Sequence, residues 1–113
     1  MDLLNEILNL QKQLDYSIKQ LRTNGTILAE RERDYKIAVN KKALELRSQD
    51  MPVTLIQTVI YGYEDISTLR FQRDSASVVY NANLEAINSI KLRLRLLDNQ
   101  ISREFTSGTS GEM

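Results

Sequence analysis

The chain has 113 residues, 42% hydrophobic and 27% charged, which bounds it to one domain and makes it too apolar to stay disordered. Fifteen basic and fifteen acidic residues cancel, so the charge footprint of a protein that holds a nucleic-acid backbone is missing and direct nucleic-acid binding is disfavoured. With neither Cys nor His there are no disulfides, thiolate nucleophiles, histidine bases or common zinc ligands, and no catalytic activity, cofactor or metal site is expected.

The first ten residues, MDLLNEILNL, lack a basic n-region and a small-residue cleavage site, and no apolar run approaches the ~20 residues that span a bilayer. A cytoplasmic protein without a membrane partner is the expectation. From Asp2 to Arg47 the apolar residues Leu3, Ile7, Leu10, Leu14, Ile18, Leu21, Leu28, Tyr35, Val39 and Leu46 recur at steps of three, four or seven, one stripe along a long helix. Unbroken, it would reach about 65–70 Å. Asn24-Gly25 is a favoured turn pair, and glycine costs roughly 1 kcal/mol inside a helix. The apolar phase nevertheless resumes at Ile27 and Leu28 without a slip, so a continuous helix with at most a kink or local fraying is expected. Arg47, near its end, suits the negative pole of the helix dipole.

The stretch Ser48–Tyr63, SQDMPVTLIQTVIYGY, holds the only proline and reads as an elbow. Pro52 cannot continue a helix and pushes Met51 out of the α region, while Gly62 can take the positive φ that ends one. Between them Thr54 and Gln57 have the spacing of a capping box, followed by the apolar face of Leu55, Ile56, Val59 and Ile60, which predicts a short helix over Thr54–Tyr61. Tyr61 and Tyr63 straddle Gly62 and are candidate partner anchors.

Glu64 and Asp65 then open a second long helix, to Arg103, whose stripe is Ile66, Leu69, Ala76, Val79 or Tyr80, Leu84, Ile87, Ile90, Leu94, Leu97 and Ile101. Lys91–Ile101, KLRLRLLDNQI, alternates like a strand but lies within some forty residues of helical period, so helix is the reading. Leu92 and Leu96 fall outside the stripe, leaving apolar surface that a lone hairpin cannot cover and that predicts a homo-oligomer, a dimer at least. The fold class expected is all-α: a long, coiled-coil-like antiparallel hairpin with a short helix at its elbow, assembling into a helical bundle. Residues 1–105 form its single domain, and the TSGTSGEM end, 106–113, is expected to be flexible.

The densest polar cluster lies within Leu69–Asn88. Arg70, Asp74, Ser77, Asn81 and Glu85 share a face, with Arg73 and Tyr80 beside it. An ordinary solvated face, with Arg70 and Asp74 paired at i, i+4, looks like this; so does a site in which Arg70, Arg73, Asp74, Tyr80 and Glu85 bind an anionic small molecule once oligomer packing encloses them. Glu30 with Asp34 is an acidic pair, but Arg31, Arg33 and Lys36 around it point to ion pairs rather than a cation site.

The runs ALELRSQDMPVTLI and LRFQRDSASVVYNANLEAINSIKLRLRLLDNQISREF resemble small helical proteins of unassigned role encoded by phages and prophages of Gram-positive bacteria, often among early or recombination genes. The resemblance covers about Tyr35 to Phe105. Arg47, Pro52, Thr54, Arg70, Arg73-Asp74, Tyr80, Glu85 and Arg103-Glu104 are the family-like positions, and Asp50-Met51 stands where such proteins tend to have a glycine before the proline. The absent nucleophiles, the polar Arg/Tyr cluster and the implied phage origin together favour a non-catalytic accessory protein that sequesters a host ligand such as a nucleotide signal or blocks a host defence protein. Two alternatives stay open: a recombination or replication factor that meets single-stranded DNA or its binding proteins, and an assembly scaffold.

Overall fold

The computed structural model describes residues 2–111, with side chains through 106. The described residues form an all-α antiparallel hairpin without strands: α1 (Leu3–Ser48), α2 (Val53–Val59), one 3₁₀ turn (Ile60–Gly62) and α3 (Glu64–Gly111). α1 passes through Asn24-Gly25 unbroken. α3 runs beyond Phe105 to Gly111, into the stretch whose Gly, Ser and Thr content predicts a flexible end, and Glu112 and Met113 lie outside the described residues. The contacts gather into two compact units, one of residues 1–22 with 82–113 and one of residues 23–81.

In the first unit the seam is formed by Leu3, Ile7, Leu10, Leu14, Ser17 and Leu21 of α1 with Asn83, Ile87, Ile90, Leu94, Leu97 and Ile101 of α3, all buried or half-buried, and Gln20 and Leu84 are half-buried beside it. Steps of alternately three and four make a seven-residue repeat, the pattern that keeps one seam of each helix against the other. The repeat puts Ser17, not Ile18, inward, and Ile18 is exposed where the stripe reading placed it inside. Asn83 Nδ2 donates to the Ser17 carbonyl at 3.0 Å across the seam. Sliding either helix by one turn would strand that amide, so the bond selects the register. Glu6 and Arg93, 3.7 Å apart on the surface, confirm the antiparallel sense.

In the second unit the seam is more polar: Asn24, Leu28, Arg31, Tyr35, Ala38 and Lys42 against Ile66, Leu69, Arg73, Ala76 and Tyr80. Tyr80, rather than Val79, turns inward. A Cβ on Gly25 would sit 3.3 Å from the Tyr80 ring, so the glycine in mid-helix makes room for an aromatic side chain of the facing helix, and neither a kink nor fraying is needed to account for it. The apolar core of this unit lies at the elbow, where Leu46, Ile56 and Ile60 are buried together and Val39, Ala43, Met51 and Tyr63 pack around them. Ile66, wholly buried at the start of α3, contributes on the order of 2 kcal/mol by its burial.

The elbow is built differently from the sequence reading. Among the described residues no glycine has positive φ, and the left-handed residue is Asp50, φ 65°. Met51 N donates to the Leu46 carbonyl at 3.2 Å and Asp50 N to that of Arg47 at 3.0 Å, the paired bonds of a Schellman ending, and Met51 packs on the Leu46 cluster as that motif favours. Arg47 adds a bond from Nη1 to the Met51 carbonyl at 3.2 Å. Because this turn delivers the chain to Pro52 already extended (ψ 143°), Pro52 itself takes the N-cap position and its carbonyl accepts Ile56 N at 3.0 Å. Thr54 therefore lies inside α2, no side chain caps the helix, and the predicted Thr54–Gln57 capping box does not form.

Two stability outcomes follow from this turn. Asp50→Gly removes a side chain from a left-handed backbone and should raise unfolding stability by about 0.5–1 kcal/mol after its chain-entropy cost. Thr54→Ala should change it by less than ~0.5 kcal/mol, against the ~1 kcal/mol of a lost cap. Urea titrations followed by circular dichroism measure both, and the turn assignment fails if Asp50→Gly destabilises the protein.

Candidate functional site

The second unit brings cations and tyrosines together in three stacked pairs. Arg73, at a seam position of α3, lies with its guanidinium carbon 4.6 Å from the centre of the buried Tyr35 ring on α1. Arg70, one turn earlier on the exposed side, lies 5.3 Å from the Tyr61 ring of the 3₁₀ turn. Lys42 of α1 lies 4.9 Å from the Tyr63 ring. A cation over a ring face is worth about 0.5–2 kcal/mol depending on desolvation. Each pair joins two different segments of the unit, which is how a seam with Arg73 and Lys42 in it remains closed.

Arg73 is held further. Its Nε and Nη2 donate to Asp74 Oδ1 at 3.0 and 2.7 Å, and this bond, opposed by partial burial, raises the pKa of the guanidinium above its already high value. Asp74 thus pairs with its sequence neighbour, and the Arg70–Asp74 pair expected at i, i+4 is replaced by the stacking of Arg70 on Tyr61. A guanidinium over a ring keeps its charge, and those of its N–H donors that point away from the ring can still meet an acceptor.

Tyr35 and Tyr61 also wall a groove of about 380 Å³, with Lys36, Val39 and Asn40 along the rest of its lining. Both rings that wall it carry an arginine. Lys36 lines the groove directly, while Arg70 and Arg73 are one ring away from it, with Asp74 bonded to Arg73 and Glu32 near it. Aromatic walls, an amide and fixed cations suit a ligand that combines an anionic group with a flat ring.

Of the residues singled out from sequence, Arg70, Arg73, Asp74 and Tyr61 gather here. Tyr80 stays in the seam of the same unit on Gly25. Tyr63 is half-buried against the elbow core. Glu85, Leu92 and Leu96 belong to the other unit, where the two leucines are 50% and 56% exposed. Sequence reasoning missed Tyr35, Lys36 and Asn40 as wall residues and Lys42 as a stacking cation. Continuing the seven-residue repeat through α1 would have placed Lys42 in the seam opposite the start of α3. Asp34, read with Glu30 as an acidic pair, is held by Arg33 at 3.1 Å and Arg31 at 3.9 Å, and among the described residues no three carboxylates converge as metal ligands.

The chain matches no protein-family model, no curated protein and no solved structure. No helix among the described residues is long and apolar enough to cross a membrane.

Lys42 Nζ also meets Asp65 Oδ2 at 3.1 Å, and their mutual hydrogen bond raises the Lys42 pKa and lowers that of Asp65. A carboxylate with a lowered folded-state pKa adds stability that is complete above its ordinary value of 3.8 and is lost as pH falls through the lowered one. The lysine contribution is present below 10.5 and is lost as pH rises through its raised value. Asp65→Asn removes both shifts and should therefore flatten the acid side of the stability profile and lessen the loss above pH 10.5. Thermal melts between pH 2 and 11 read this, and an unchanged profile would show that the pair does not couple to folding.

Proposed function

We propose that this chain is a non-catalytic binding protein whose groove between Tyr35 and Tyr61 takes a small anion bearing an aromatic base, a nucleotide in chemical class. The observation that carries the reading is that each tyrosine walling the groove is backed by a guanidinium, with Lys36 and Asn40 beside them. The base would stack between or against the rings, and the phosphate would take the free N–H edge of Arg70 and the Lys36 ammonium. Arg73, with two donors committed to Asp74, holds Tyr35 in place and adds field rather than the main contacts. The resemblance to phage-encoded proteins makes a host nucleotide signal, withdrawn from its receptor in the host cytoplasm, the ligand of choice. Exposed leucines on both long helices support a homo-oligomeric working form.

Calorimetry against inorganic phosphate and a panel of linear and cyclic nucleotides tests the reading, with native mass spectrometry of the purified protein to identify any co-purifying molecule and the number of subunits. Lys36→Ala and Arg70→Ala should each weaken nucleotide binding about tenfold or more, since a charge-assisted bond is worth ~1.5–3 kcal/mol; Lys36→Ala should leave the melting temperature nearly unchanged, while Arg70→Ala also loses the Tyr61 contact. No heat across the whole panel would sink the proposal.

A further inference from the structure

In the unit formed by residues 1–22 and 82–113, both helices expose a pair of leucines one turn apart. Leu4 and Leu8 of α1 are 66% and 47% exposed, and Leu92 and Leu96 of α3 are 50% and 56% exposed. Glu6, which lies between the first pair in sequence, reaches Arg93, which lies between the second, so the two pairs stand at one level of the unit. Continuing each outer face by the same steps of three and four gives Gln11 and Asp15 on α1 and Asn99 and Arg103 on α3, all exposed. Asp15 and Arg103 enter no ion pair among the described residues.

The two faces match each other position by position when laid parallel: leucine on leucine twice, amide on amide, and carboxylate on guanidinium. We infer that the outer face of α1, Leu4-Leu8-Gln11-Asp15, packs in parallel on the outer face of α3, Leu92-Leu96-Asn99-Arg103, of a second copy of this chain. The geometry excludes the same contact within one molecule, because α1 and α3 of one hairpin run antiparallel. The apolar half supplies the affinity and the polar half the register: an antiparallel docking of the same leucines would bring Asp15 against Glu85 and is disfavoured by like charge.

This inference rests on the homo-oligomeric form proposed above and names its surface, and the following measurements separate the two. Sedimentation equilibrium of the wild type at micromolar concentration should give a species larger than the monomer; a monomer overturns both. L4E/L8E and L92E/L96E, which change only exposed side chains, should each sediment as monomers, with association weakened about tenfold or more for each leucine lost. Mixed in equal amounts, they retain one intact α1-on-α3 junction and should form a heterodimer. If L4E/L8E alone keeps the wild-type mass, or the mixture stays monomeric while both variants remain helical, this interface is overturned although the oligomer stands. Asp15→Arg and Arg103→Asp provide a second route if a leucine variant fails to fold: each should weaken association, and combining them in one chain should restore it. A combined variant no tighter than the singles overturns the pairing.

Discussion

A pair of helices can bury only one stripe of each, and nearly everything in this protein follows from how that narrow seam is filled. A two-helix seam holds few residues, so a single wrong side chain is felt along several turns. The first unit fills it mostly with leucine and isoleucine and admits the bond from Asn83 to the Ser17 carbonyl, which singles out a register among the many that a leucine-rich repeat would tolerate. The second unit accepts Asn24, Arg31, Lys42, Arg73 and Tyr80 into the same repeat. Such a seam stays shut because its cations have partners there: Arg73 on Tyr35 and Asp74, Lys42 on Tyr63 and Asp65.

Closing a seam in this manner has a functional consequence. A guanidinium stacked on a ring is immobilised without losing its charge, and its in-plane donors remain available. Arg70 on Tyr61 and Arg73 on Tyr35 thus fix positive charge on the two rings that line the groove. Preorganised cations of this kind bind an anion without the rotamer-entropy cost that free surface arginines incur.

The elbow illustrates how a local ending propagates. Asp50 in the left-handed region closes α1 by two bonds to Leu46 and Arg47, and the chain then enters Pro52 extended, which starts α2 without a side-chain cap. The short helix and its 3₁₀ turn bring Ile56 and Ile60 onto Leu46 and leave Tyr61 outside and Tyr63 against the core. Tyr61 reaches Arg70 only because the turn over Ile60–Gly62 tightens before α3 begins.

From the sequence alone, the all-α hairpin, its two long helices, the continuity through Gly25 and the break at Pro52 were all legible, since apolar periodicity and proline act locally and do not depend on what packs across. The polar Arg70–Tyr80 stretch was also visible as a cluster. Only the tertiary structure decided its partners: whether Asp74 takes Arg70 or Arg73, and which ring each guanidinium covers, depends on side chains of α1 and of the elbow more than twenty residues away in some cases and fewer than ten in others. The same holds for Gly25, whose purpose is a tyrosine on the facing helix, and for Ser17 displacing Ile18 from the seam, which a 3.6-residue wheel misplaces and a seven-residue repeat against a real partner puts right. The left-handed turn at Asp50 rather than Gly62 was the least legible feature, because propensity favours glycine there and only the packing of Met51 onto Leu46 selects the aspartate.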